Sequence, residues 1–179
     1  LTWKSILSLG GNSGNPSSTR NFHIDANFEP IFTAAGNQPD LQFDYPDFDL
    51  IVEVTKNTGK TQWRAESESV PRHVATHKYL KQKETFCLFI APSINEETSE
   101  RFFMLSKKQL SEIIKKEEIH IRIVPVTFKQ FKKIYEKIIL KQNISSEWIS
   151  VIRNLEFKVD QISTVSDWNA EIEQIIEKI

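Results

Sequence analysis

Apolar positions along this chain recur at two spacings, and the switches between them predict an order of helices and strands. Residues 9–19 are rich in Gly, Ser, Asn and Pro and read as a loop. Ser17 or Ser18 then caps a helix whose Ile24, Phe28, Ile31 and Phe32 fall on one face, with Pro30 inside it as a kink. Two strands follow, 41–44 and 49–55, joined by the turn-forming Tyr45-Pro46-Asp47. Asn57-Thr58-Gly59-Lys60 reads as a further turn, with Gly59 allowing it to be tight, and 62–65 as a short third strand. Pro71 suits the first position of a helix running to about residue 83. The continuous apolar run 85–91 is a central strand. Residues 98–105 fit neither period. Ser106 caps a helix over 107–116, 119–126 is a strand, and Thr127 caps a helix with the stripe Phe131, Ile134, Tyr135, Ile138 and Ile139. Two helices close the chain, 147–157 and 167–179, the last burying Trp168, Ile172, Ile175, Ile176 and Ile179.

Helix, strands, helix, strand, helix, strand, helices is the order of an α/β fold, an α/β/α sandwich around a mixed sheet. The length of 179 residues fits one domain, with a core over about 18–142 and a helical C-terminal extension over 143–179. Twelve Phe and four Trp supply a substantial core, Trp63 and Cys87 included. A single cysteine rules out a disulfide framework within the chain and suits the cytoplasm. No run approaches the roughly 20 apolar residues of a membrane span, and no signal peptide is predicted. The chain opens on Leu1 rather than Met, so its natural start is left open.

Charge narrows the function. The formal net charge is −1, so a role on nucleic acid would need grip from elsewhere, because phosphate contacts normally supply most of the affinity. The distribution is uneven. Residues 107–141 hold ten Lys or Arg against four acids, and 147–179 hold seven acids against three basic residues. These are either solvated helix faces or a basic surface for phosphates with an acidic tail turned away.

The chemistry concentrates between Pro39-Asp40 and Arg72-His73. Glu53 sits inside the apolar strand Leu50-Ile51-Val52-Glu53-Val54-Thr55, where a carboxylate is costly unless paired, neutralised or bound to a cation. Alternation puts Glu53 and Thr55 on one face with Ile51. A turn at 45–47 brings Asp40 back beside Glu53. Two carboxylates that close repel, and Mg²⁺ resolves the conflict while polarising a phosphate and activating water. Glu66 or Glu68 supplies a third acid. His73 and His77, four apart, could instead mimic a zinc pair, but Val74 stands where a zinc protease needs glutamate. Lys56 and Lys60 flank the turn and are candidates for touching phosphate.

Pro39-Asp40 with Glu53-Val54-Thr55 resembles the PD-(D/E)XK nuclease signature. One position departs: Thr55 stands where the signature has lysine, and Lys56 comes one residue later. The longer string, from Glu53 through Gly59-Lys60-Thr61-Gln62-Trp63 and Glu66 to Val70-Pro71-Arg72-His73, is similar to the AlwI-type branch of type IIS restriction endonucleases. That resemblance implies a restriction-endonuclease-like fold, metal ligation by Asp40, Glu53 and Glu66, and catalytic roles for these acids and His73. It implies Mg²⁺, with Mn²⁺ as a substitute, and duplex DNA as substrate. Single-chain members carry a large recognition part for which this chain has no room. The resemblance is therefore strongest to the small cleavage subunit of a heterodimeric enzyme, cutting one strand beside a larger subunit that recognises the site and nicks the other. A cleavage domain of a longer single-chain enzyme and a non-catalytic assembly subunit remain as alternatives.

Overall fold

The structure, a computed structural model, describes residues 2–10, 20–27, 29, 31, 38–107 and 110–179. Its centre is a four-stranded mixed sheet in the order β1-β2-β3-β6: β1 (Leu41–Asp44), β2 (Asp49–Val54), β3 (Thr85–Ala91) and β6 (Arg122–Thr127). The hairpin expected at 45–47 forms: β1 and β2 are antiparallel, with Leu41 opposite Val52 and Asp44 opposite Asp49. β3 and β6 then add in parallel. Every residue of β3 is buried, as its unbroken apolar run requires, and Cys87 is a free buried thiol within it.

Parallel neighbours need crossovers. α2 (Gly59–Lys81) joins β2 to β3, and α3 (Glu96–Ser106) lies between β3 and β6. Two crossovers in the same direction across the sheet put both helices on one face, where they contact each other. Leu50, Phe86, Leu88 and Val124 face the other way, against Ile152 and Leu155 of α5 (Ile144–Phe157). α4 (Phe128–Ile138) begins at Thr127, whose hydroxyl accepts from the Gln130 N–H while Gln130 returns a bond to the Thr127 N–H: a complete capping box. Phe131, Ile134 and Ile138 of its stripe are buried. α6 (Val165–Lys178) buries Trp168, Ile172 and Ile176, with Ile175 and Ile179 partly buried. The layered mixed-sheet architecture expected from the sequence is thus the one that forms.

Several local expectations change. α1 (Thr2–Ser8) was not foreseen. Of the predicted helix through residue 32, Phe28, Pro30 and Phe32 lie outside the described residues, as do the candidate caps Ser17 and Ser18. Ile24 and Ile31 are not helical: the Asp25 carboxylate accepts from the N–H groups of Asn27 and Glu29, and the Ile31 N–H donates to His23, closing a turn. Residues 98–105 are helical, as α3, capped by Asn95. Of the helix expected over 107–116, residues 110–116 are not helical. Ser106 turns inward to accept from the Ile123 N–H, and a hairpin of β4 (Glu112–Ile114) and β5 (Glu117–Ile119) takes its place, with Lys115 and Lys116 at positive φ. The largest change is at 62–65, helical rather than extended, with Pro71 inside α2 rather than at its start.

The basic and acidic segments meet each other. Lys137 donates to the carbonyls of Ile176 and Glu177, Lys141 donates to Ile179, and Lys133 pairs with Glu177, so lysines from the α4 region close the carbonyl end of α6. Arg122, buried at the start of β6, bonds Asp160 through both terminal nitrogens and lies 3.1 Å from Glu156. Trp148 of α5 donates to the Tyr45 hydroxyl at 2.8 Å. The C-terminal segment is therefore bonded to both edges of the sheet. No helix among the described residues is long and apolar enough to cross a membrane.

Candidate active site

The site lies where β1 begins and β2 ends. Asp40 immediately precedes β1, and its Oδ2 accepts the Val54 N–H at 2.8 Å, which fixes one carboxylate against the last residue of the neighbouring strand. Glu53 stands one residue earlier, 7% exposed, on the sheet face that α2 covers. His73 of α2 meets it: Nδ1 lies 2.8 Å from Glu53 Oε1. An ionised Glu53 makes Nδ1–H the donor and leaves Nε2 as the free ring nitrogen. Nε2 is buried and has no hydrogen-bond partner among the described residues. Four residues along each element the arrangement repeats: His77 Nε2 is 2.7 Å from Asp49 Oδ2.

This ladder follows from the helix period. Gln62, Glu66, Val70, His73 and His77 fall at i, i+4, i+8, i+11 and i+15, one stripe of α2. Glu66 shares that stripe, and its Oε1 accepts from Asn57 Nδ2 at 3.2 Å. Glu68 does not: it lies exposed and pairs with Arg72 at 2.9 Å. His77 is occupied by Asp49, so the two histidines face two different carboxylates rather than one shared ion. Gly59, at φ +53, lets the chain turn from the loop into α2, and a Cβ there would meet only open space, so backbone conformation alone favours glycine.

The electrostatics are those of a crowded anionic site. Burial raises the Asp40 pKa; the Val54 N–H opposes this, and the charge of Glu66 adds to it. Burial likewise raises Glu53; the bond to His73 opposes, and the charge of Asp40 adds to the rise. Both carboxyls resist ionisation unless a cation is supplied. Among the described residues, no three His, Cys, Asp or Glu side chains are drawn close enough to hold a metal ion as a set. Asp40 and Glu53 are the pair at the centre, and Glu66 reaches the site through its charge on Asp40.

No lysine enters. Thr55 is buried, and its hydroxyl accepts the Asn57 N–H at 3.1 Å. Lys56 and Lys60 are exposed. Trp63 is half-buried on α2 and is not part of the core, contrary to the expectation from its size. Sequence reasoning missed Asn57 and Gln62. Asn57 reads only as a turn residue, and the strand assigned at 62–65 hid the helical stripe that joins Gln62 to Glu66.

The sequence profile of the AlwI restriction endonuclease family matches residues 1–134. The chain belongs to this family. Its members are nucleases, and a divalent metal is the family's usual cofactor. No curated protein matches the chain. Among solved structures, the small subunit (R.BspD6I2) of the heterodimeric restriction endonuclease R.BspD6I has the same fold, with a TM-score of 0.74 and 21% identity, over 97% of this chain and 86% of that one. Asp40 and Glu53 supply the carboxylate oxygens that a hard divalent ion takes, and burial and their mutual charge oppose their ionisation in its absence.

Proposed function

We propose that this chain is the small, cleaving subunit of a type IIS restriction endonuclease, hydrolysing one strand of duplex DNA with Mg²⁺ beside a site recognised by a larger partner. The observation that carries this reading is the pairing of Asp40 and Glu53 across adjacent strands, with His73 bonded to Glu53 and its second nitrogen free. Asp40 and Glu53 would hold the metal, and Glu66 would join them from α2. When bound, the ion supplies Lewis-acid polarisation of the phosphate and offsets charge in the transition state. The protein's own residues do the positioning. Val54 N–H fixes Asp40, and His73 orients Glu53 through Nδ1. Nε2 then orients the attacking water and accepts its proton. Thr55 leaves the lysine's part in this to His73. Lys56 and Lys60, on the solvent side of the loop, meet the DNA backbone.

Net charge and the similarity to a solved small subunit support the larger partner. A chain of net charge −1 has little general attraction for DNA. A solved structure with the same fold is the small subunit of a heterodimeric restriction endonuclease. The test mixes the chain with a candidate large recognition subunit and supplies supercoiled plasmid carrying one site. Parent protein gives linear DNA with Mg²⁺ or Mn²⁺ and none in EDTA. Asp40→Asn leaves only the partner's nick. Linear product from the Asp40→Asn mixture would overturn the assignment, and site-specific double-strand cutting by this chain alone would overturn the small-subunit reading.

A further inference from the structure

Gln62 has no exposed surface, although it lies in the first turn of α2. Its side chain uses both donors and its acceptor. Nε2 donates to the Asn57 carbonyl at 2.9 Å and the Ser93 carbonyl at 2.8 Å, and Oε1 accepts the Asn95 N–H at 2.8 Å. Two carbonyls and one N–H around it fix which end of the amide is which. Only a neutral amide of this length serves all three: glutamate cannot donate, and an apolar side chain leaves three backbone groups unpaired.

Asn57 is held from both sides, its N–H by the Thr55 hydroxyl and its carbonyl by Gln62. What remains is its side-chain amide, which donates to Glu66. We propose that Gln62 is a positioning residue for the third carboxylate of the site: by fixing the Asn57 backbone, it holds the Asn57 amide that aims Glu66. Thr55, at the position where related nucleases carry lysine, serves the same relay. This rests on the reading that Glu66 belongs to the metal site. Gln62 itself touches neither metal nor DNA, and its bonds to Ser93 and Asn95 tie the β3–α3 connection to the same point.

The experiment titrates Mn²⁺ into the purified full chain and counts free ion by its paramagnetic resonance signal, with melting temperature measured on each variant. Removing an outer partner of a metal ligand typically weakens affinity about 10–100-fold. Asn57→Ala is expected to weaken Mn²⁺ binding about tenfold with its melting temperature near the parent's, since the Asn57 backbone bonds survive. Gln62→Glu should weaken it similarly, and the double variant no more than the weaker single, because both act through one carboxylate. Glu66→Gln should weaken it at least as much. Parent-like binding by Asn57→Ala, beside weakened Glu66→Gln, overturns the relay and leaves the site standing. Parent-like binding by folded Gln62→Glu, with Asn57→Ala weakened, removes Gln62 from the relay. Parent-like binding by Glu66→Gln overturns the site reading underneath. If Gln62→Glu does not fold, Asn57→Ala and Glu66→Gln decide.

Discussion

Glu53→Gln should raise the stability of the metal-free protein and abolish the stability that metal adds. In the parent, Glu53 is 7% exposed, burial opposes its charge, and Asp40 opposes it further. The amide keeps an oxygen for His73 Nδ1–H at the same place and carries no charge to desolvate. The sign can be checked by pH. A carboxyl whose folded pKa is raised contributes stability that is present below its unfolded value and lost as pH rises through the folded value. At neutral pH the parent has lost that contribution, and the amide has nothing to lose. The metal-free parent should therefore gain on the variant as pH is lowered through the raised Glu53 value.

Metal reverses the comparison. An ion that binds the folded state alone stabilises by about 2.7 kcal/mol at one hundred times its dissociation constant. For a chain of this size each kcal/mol moves the melting temperature by about 2–4 °C, so saturating Mg²⁺ should raise the parent by about 5–10 °C. Glu53→Gln should shift by less than about 2 °C, one kcal/mol or less of residual binding. Differential scanning fluorimetry with and without Mg²⁺, on parent and variant, is the assay. A variant that melts below the metal-free parent at neutral pH, or one whose Mg²⁺ shift equals the parent's, would refute the reasoning that Glu53 is an unneutralised ligand.

Asp49 should behave oppositely to Glu53 in acid: burial raises its pKa, but bonds from His77 and Lys83 outweigh that and hold it at about 2. Its contribution is present above the ordinary value of 3.8 and lost as pH falls toward 2, about 1–2 kcal/mol after allowing for solvent screening, and acid titration of Asp49→Asn against parent should show that loss missing. Arg122→Met should cost about 3 kcal/mol or more in urea unfolding, because the guanidinium is buried and joins β6 to Glu156 and Asp160; a cost under 1 kcal/mol would mean the C-terminal helices hold by apolar contact alone. Glu68→Gln should leave cleavage within about twofold of the parent while Glu66→Gln loses it, read from the linear product in the plasmid assay; equal losses would return the third acid to Glu68.

Legibility in the sequence tracked how ordinary each element's stripe is. β3 is buried throughout and reads as a central strand; α4 carries an apolar stripe and a capping box, and reads correctly from its first residue. The 45–47 turn fixes the β1–β2 register, and with it the approach of Asp40 to the end of β2. The hairpin of β4 and β5 was hidden because Ser106, a good cap by type, spends its hydroxyl on Ile123 across a tertiary contact that no local pattern records. The lysines of α4 looked like a surface for phosphate because the segment whose carbonyls they close lies some 40 residues away.

α2 shows why the least legible element is the one that carries the candidate site. Its sheet-facing stripe should be apolar; instead it runs Gln62, Glu66, Val70, His73, His77, so the helical period vanishes from hydrophobicity and the segment breaks into a false strand and a short helix at Pro71. Each polar residue there costs stability unless it is bonded, and the described ones are: Gln62 to three backbone groups, Glu66 to Asn57, His73 to Glu53, His77 to Asp49. The pairs differ in what they leave over. His77 and Asp49, joined by Lys83, form a neutralised staple at the far end of β2. His73 and Glu53 keep an unpartnered nitrogen and a carboxyl whose ionisation burial and Asp40 oppose. The same histidine–carboxylate motif thus serves twice along one helix, once closed and once open. In the function proposed above, the open copy is the one that a cation and a phosphate would complete, and stability given up there would be recovered on their binding.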